Sequence, residues 1–366
     1  MSWYLNRTFI GGVMVGWLMT TISWGYTSAS KKLNESPEWY RSDEARQMAS
    51  NILAWQTPEG GWPKNTETAL AKPGNEDTDR HATFDNSAGY FEIQFLARVY
   101  NATHDSEIRS AINRAVDYLL QAQYPNGGWP QSYPPPSGYG RYITFNDGTM
   151  ARIMFLLRDV FSSETFSFLD EDRKQRARQA WDRGIECILN CQVIVNGKRT
   201  VWAAQHDEKT LAPAPARVFE PVALAGQESL AVMNLLMHVE NPSPEVIAAV
   251  DAAAEWFEKT KIMGIRIEDR PMPGTPKGFE RYVVLDPQAG PLWARFYEIG
   301  TNRPIFVGRD GVIRYDLMEI ETERRTGYRW YGAWAKNRLE KEYPAWKARV
   351  GSLTTGPSST PRSNKQ

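Results

Sequence analysis

Two short segments pair an acid with an amide in opposite order. "ATFDNSAGY" carries Asp85 and Asn86, and "ITFNDGTMA" carries Asn146 and Asp147. A third segment, "APAPARVFEPVAL", puts Arg217 and Glu220 near the equivalent point. Two carboxylates with neutral oxygen ligands suit a hard cation such as calcium or magnesium. The same two carboxylates could equally serve as a glycosidase acid/base pair. Each Asp or Asn could also cap a helix, a role compatible with ligation. Arg217 could form a salt bridge to Glu220 one helical turn away.

Further cations lie in the C-terminal third. "TNRPIFVGRDGVIRYDLMEIETERRTGYRWYG" contains Arg303, Arg309, Arg314, Arg324, Arg325 and Arg329, with acids between them. One reading is a solvated, salt-bridged surface. The other is carboxylate recognition, because the guanidinium fork matches a carboxylate. Arg303-Pro304 and Arg309-Asp310-Gly311 have turn chemistry, which can aim side chains at a ligand. The segment "WAAQHDEKTLAP", with His206, Asp207 and Lys209, leads into Arg217. None of the four His residues forms a His-x-x-x-His pair or a zinc-type set with Cys, which argues against a transition metal. Cys187 and Cys191 lie four apart in a helical pattern, poor geometry for a disulfide, and read as small core residues.

The elements that must position these residues repeat. "QTPEGGWPKN" begins at Gln56 and "QYPNGGWPQS" at Gln123. Gln192 and Thr260 stand in the matching place of two further segments, giving spacings of 67, 69 and 68 residues. Such a period signals stacked copies of one supersecondary unit. Each Gln follows one apolar helical pattern, and a second begins at Ser87, Gly148 and Gly226. Helical hairpins with few strand patterns between them predict an α/α toroid. Gly60-Gly61 and Gly127-Gly128 permit positive φ at the reversal, Trp62 and Trp129 pack back over it, and Pro63 and Pro130 stop the helix. Equivalent helix starts share one rim, so the repeat brings Asp85, Asp147, Arg217 and Glu220 toward one mouth.

The whole chain sets wider bounds. It has 366 residues, with Lys plus Arg equal to Asp plus Glu at 43 each. Net charge alone therefore argues neither for nor against a polyanionic partner, and no nucleic-acid partner is expected. Arg7, an apolar run from Phe9 to about Trp24, and "TSAS" predict a signal peptide over 1–29. The run is too short for a favoured membrane anchor, so the expected location is secreted or periplasmic, without membrane attachment after cleavage. A single catalytic domain is expected over 30–350, and a disordered Ser/Thr/Pro/Gly-rich tail over 351–366.

Taken together, "GGWPKN", "ATFDNSAGY", "NGGWPQSYP", "TFNDGTMARIM", "PAPARVFEP", "LDPQAGPLWARFYEIGTNRPIF" and "GRDGVIRYDLMEIETERRTGYRWYG" resemble family 10 polysaccharide lyases, the pectate lyases. The resemblance runs from about Ser36 to Arg349. It implies an all-α-dominated (α/α)₃-type toroid with minor irregular β content, and calcium-dependent cleavage of polygalacturonate by β-elimination; a monomer is expected. It assigns the catalytic Arg to Arg217 and the calcium-associated acids to Asp85 and Asp147. Substrate-binding roles fall on Asn86 and among Arg303, Arg309 and Arg324, with Lys209 in a loop that could line the cleft.

These residue types suit that reaction. β-Elimination removes a proton from the carbon next to a carboxylate, where a second negative charge develops, and cations relieve that charge. An Arg base needs neighbouring cations, desolvation and alkaline conditions to gain a neutral fraction, so an alkaline optimum is expected. Activity rising between about pH 5 and 7 and then flat would point to His206 or a carboxylate instead. Two alternatives stand beside this reading: a secreted α/α-toroid glycoside hydrolase using the Asp pair, and a non-catalytic binder of acidic polysaccharide.

Overall fold

The computed structural model describes residues 27–72, 74 and 81–354. Ten α-helices lie among them: α1 (Ser28–Lys31), α2 (Asp43–Trp55), α3 (Tyr90–Thr103), α4 (Ser106–Gln121) and α5 (Thr149–Ser162), followed by α6 (Glu171–Cys191), α7 (Gly226–Met237), α8 (Pro244–Lys259), α9 (Thr322–Gly327) and α10 (Tyr343–Thr354). Most of the expected signal peptide and tail fall outside the described residues. At their edges, Ala29 is buried, and α10 continues through Thr354.

Two rings follow from burial. α2 buries only Ala45, Ala49, Ile52 and Trp55, one stripe at helical spacing. α7 buries ten of its 12 residues, which only an inner helix can do. α4 and α6 pack side by side in the outer layer between α2 and α8, while α3 packs on α5 and α5 on α7 inside. This is the expected α/α toroid.

The repeated phrase is the clasp of that ring. Gln56 ends α2, and its amide donates to the Gly60 carbonyl at 2.9 Å and to Ala111 of α4 at 2.8 Å. Gln123 does the same with Gly127 at 3.1 Å and Ala180 of α6 at 2.8 Å. Gln192 reaches Thr200 and Ala249 of α8, both at 2.9 Å. Each Gln thus closes its own turn and ties it to the next outer helix. The Trp that follows is fully buried, and its indole donates into the helix just ended: Trp62 to Ile52 at 2.8 Å, Trp129 to Leu119 at 2.9 Å. Trp202 and Trp293 complete the set, bonding Ile188 at 2.7 Å and Phe257 at 2.8 Å. The two glycines divide the labour. Gly60 and Gly127 take φ of 106° and 90°, whereas a Cβ on Gly61 would lie 2.7 Å from that of Ala82.

The two rings begin differently. The outer helices α2, α4, α6 and α8 are capped by the side chains of Ser42, Asp105, Asp170 and Ser243. The inner helices α3, α5 and α7 have no side-chain cap. α3 and α5 follow directly on the two acidic segments, and the positive dipole end of each helix favours an anion there. The strands are short. Four of them, Leu224–Ala225, Phe296–Tyr297, Pro304–Val307 and Ile313–Arg314, form one antiparallel sheet beside α7. A longer hairpin, Ile265–Pro271 with Phe279–Leu285, packs on α9. Among the described residues no helix is long and apolar enough to cross a membrane.

Candidate functional site

The two acidic segments form matching turns. Phe84 N donates to the Gln131 carbonyl at 2.8 Å, and Phe145 N to Ala204 at 2.9 Å. Each segment then turns through two left-handed residues, Asn86 and Ser87 at φ 51° and 68°, and Asp147 and Gly148 at φ 51° and 72°. Asn and Asp tolerate that region better than most side chains. The inverted order thus has a structural meaning. Asp85 and Asn146 occupy equivalent buried positions, and Asn86 and Asp147 equivalent left-handed ones. Neither acid caps its helix.

Each acid meets a cation. Lys64 Nζ lies 2.6 Å from Asp85 Oδ2. Asn86 Nδ2 donates to Asn65 Oδ1 at 2.9 Å, so both residues after the first Gly-Gly-Trp-Pro reach the site. Arg295 Nη2 lies 3.5 Å from Asp147 Oδ1 and 2.6 Å from Glu228 Oε1. Burial pushes the Asp147 carboxyl up, Arg295 pulls it down, and Asp85 and Glu220 push it up again. Burial works against the Arg295 charge, but Glu228, Tyr328 and Asp147 more than restore it, so its proton is held tightly.

Beside the acids stands an array of guanidinium groups. Phe219 is buried, and Arg217, Arg309 and Arg324 surround its ring with their guanidinium carbons 4.8, 4.9 and 4.4 Å from its centroid. Arg217 is anchored to Glu220, Nε to Oε2 at 2.8 Å and Nη2 to Oε1 at 2.5 Å. The Tyr328 hydroxyl also donates to Glu220 Oε1 at 2.8 Å. The Glu220 hydrogen bonds outweigh burial and hold the Arg217 proton more tightly than usual. Arg309 forms a bidentate pair with Glu323, both bonds 3.0 Å. Arg324 is 7% exposed, its nearest carboxylate oxygen is Glu323 Oε1 at 3.7 Å, and its Nε has no partner among the described residues. Burial lowers its hold on its proton, Glu323 opposes that, and Arg309 and Arg217 add to the lowering.

Two expected site residues stand apart from this array. Arg303 and Arg309 flank the strand Pro304–Val307 at opposite ends, so one strand's length separates them. The Arg303 guanidinium lies 3.6 Å over the Tyr315 ring, whose hydroxyl bonds Glu298, and is not brought to Phe219. Lys209 is exposed in the turn between Gln205–His206 and Pro213–Ala214, its backbone N–H bonded to Asp207 Oδ1 at 3.0 Å. The strand Gln205–His206 pairs with Ile143–Thr144, which leads into Asn146, so Lys209 sits on a loop springing from the Asp147 side.

His206 is fully buried. Its Nε2 accepts from Ala203 N at 3.1 Å and its Nδ1 donates to the Leu211 carbonyl at 2.8 Å. Burial lowers its pKa to about 4. With both nitrogens engaged in loop structure, it has neither the exposure nor the free lone pair of a base. Lys64, Phe219, Glu228, Arg295 and Tyr328 are the site residues that motif reading missed. Only Lys64 carried a signal, its place directly after the repeated Trp-Pro.

Comparisons with known proteins agree with this architecture. A family model described as pectic acid lyase matches residues 56–339. A solved family 10 polysaccharide lyase from Cellvibrio cellulosa is 31% identical, with a TM-score of 0.74 over 91% of this chain and 98% of its own. A mutant of the Cellvibrio cellulosa family 10 lyase, in complex with trigalacturonic acid, matches with the same identity and score over 88% and 97%. No curated protein matches the chain. A toroid with these relatives defines a polysaccharide lyase. The chain belongs to family 10 of that class, the pectic acid lyases.

Proposed function

We propose that the protein is an exported, monomeric pectate lyase. It cleaves α-1,4-polygalacturonate by calcium-assisted β-elimination and leaves 4,5-unsaturated oligogalacturonides. The observation that carries this reading is the adjacency of two kinds of charge: oxygen donors at Asp85 and Asp147, and three guanidinium groups around Phe219. A polyuronate needs both, and a neutral glycan needs neither.

The donor set fits calcium. Asp85 and Asp147 are hard oxygen donors not spent on helix caps. Among the described residues no group of three or more His, Cys, Asp or Glu side chains is disposed around a metal position. Two acids leave most of a calcium shell to be filled by substrate oxygens and water, so binding of cation and substrate should be mutually dependent. Bound there, calcium supplies neutralisation of the uronate charge before the proton leaves.

The chain's own groups do the rest. Arg309 and Arg324 orient the uronate carboxylate and spread the enolate-like charge. Arg217 takes the C5 proton, and the C4 oxygen departs as the double bond forms, gaining its own proton from solvent. An Arg can do this only when neutral. Glu220 opposes that state, while Arg309 and Arg324 favour it by repulsion. The balance calls for alkaline conditions and for substrate to loosen Arg217 from Glu220.

The deciding experiment adds polygalacturonate, with calcium or EDTA, and follows ultraviolet absorbance. Absorbance should grow with calcium and stop with EDTA. New reducing ends without absorbance would make the protein a hydrolase. Retention of pectate without either product would make it a binder.

A further inference from the structure

Glu228 and Arg295 have no part in the proton transfer, yet they form the most deeply buried ion pair beside the acids. The Arg295 backbone is pinned on both sides: Gly226 N donates to its carbonyl at 2.7 Å, and its own N–H donates to Trp330 at 2.7 Å. Its guanidinium lies 4.4 Å over the Tyr328 ring. One nitrogen, Nη2, faces three oxygens: Glu228 Oε1 at 2.6 Å, Asn146 Oδ1 at 3.4 Å and Asp147 Oδ1 at 3.5 Å. Glu228 is completely buried in the first turn of α7, where the helix dipole favours an anion. Its Oε2 and the Arg295 Nε have no hydrogen-bond partner among the described residues.

Stability does not explain such a pair. Burying two charges costs more than apolar packing of the same volume, and leaving polar atoms unmatched adds to the cost. Electrostatics gives it a purpose. A lone Arg295 would cancel Asp147, and a neutral site attracts no cation. With Glu228 present, the three groups carry one net negative charge, and the closest contact of Arg295 goes to Glu228 rather than Asp147. Arg295 can then hold the Asp147 side chain in place without neutralising it.

We propose that Glu228 is a positioning residue for the cation site: it engages Arg295 and thereby keeps the charge of Asp147 available to a divalent cation. The inference rests on the reading of Asp147 as a calcium-associated acid.

The test uses Arg217→Ala protein, which holds substrate without turnover, and titrates calcium by calorimetry in the presence of trigalacturonate. Glu228→Gln should weaken calcium binding by at least about tenfold, because Arg295 is left to neutralise Asp147. The double variant Glu228→Gln with Arg295→Gln removes both charges and should recover affinity to within about threefold of the parent. A merely structural role predicts the opposite, a double variant worse than the single. An unmoved Glu228→Gln, or a folded double variant no tighter than the single, overturns the proposal. Thermal unfolding checks folding. If Glu228→Gln alone does not fold, the double variant decides: near-parent calcium affinity supports the proposal, and weak affinity overturns it. A parent that binds no calcium removes the calcium reading and this inference together. A parent that binds calcium while the variants match it removes this inference alone.

Discussion

Arg217 and Glu220 form a two-point ion pair, with Nε and Nη2 of one facing Oε2 and Oε1 of the other at 2.8 and 2.5 Å. The group proposed to accept a proton is thus held by the anion that most discourages it from losing its own. Glu220→Gln removes that anion and lowers the Arg217 proton affinity. The alkaline rise of kcat should then move down by about one pH unit or more. If Arg217 acts only as a fixed positive charge, the profile will change in height and stay in place.

Phe219 organises the cations proposed to face substrate, since Arg217, Arg309 and Arg324 all lie against its ring. Each such contact contributes about 0.5–1 kcal/mol in ordinary settings. Phe219→Leu gives up all three contacts and should cost about 1.5–3 kcal/mol of stability. It removes the flat face, so KM for polygalacturonate should rise about tenfold. An unchanged KM in a folded Phe219→Leu protein would show that the arginines need no such platform.

How far the sequence shows this site depends on whether a residue belongs to the repeat. Gln56, Gln123 and Gln192 announce the clasps because the period writes them at matching places, and Asp85 and Asp147 stand out because their segments match, although the acid sits one place later in the second. Trp202 and Trp293 play the role of Trp62 and Trp129 but follow their helices through longer connections, which hides the match. Glu228 and Arg295 are 67 residues apart. They meet because the start of α7 bonds the backbone of Arg295, a long-range register that no local pattern encodes. Arg303 and Arg309 look alike as arginines in turns. The strand between them sends them to opposite ends, and which end faces the mouth is set by pairing with Phe296–Tyr297. The antiparallel toroid was legible; the direction of a four-residue strand was not.

Lys64 competes for Asp85. Its ammonium sits 2.6 Å from Oδ2, close enough to neutralise an acid that calcium would need. Lys64→Met should therefore lower the half-saturating calcium concentration by roughly threefold or more. Calcium dependence of the initial rate at saturating substrate measures it. A higher calcium requirement would mean that Lys64 holds Asp85 in its working position rather than masking it.

Glu280 joins the hairpin to α9 and so fixes the segment that carries Arg324. Its carboxylate is buried and takes Arg325 Nε at 2.8 Å, Arg325 Nη2 at 2.7 Å and Thr322 Oγ1 at 2.6 Å. Hydrogen bonding to Arg325 lowers its pKa to about 2 against burial, with Thr322 helping. A depressed folded-state value means that the ionised form stabilises the fold. That contribution is whole above the ordinary glutamate value and is lost as pH falls from there toward about 2. It is on the order of 3 kcal/mol. Glu280→Gln should therefore be less stable at pH 7 in urea by about 2–3 kcal/mol, with the gap to the unaltered protein closing as the solution is acidified. Because Arg324 precedes Arg325 in α9, the same variant should also raise KM for polygalacturonate. A stability gap that stays constant between pH 7 and pH 3 would mean that the pair is not the acid-sensitive link between hairpin and site.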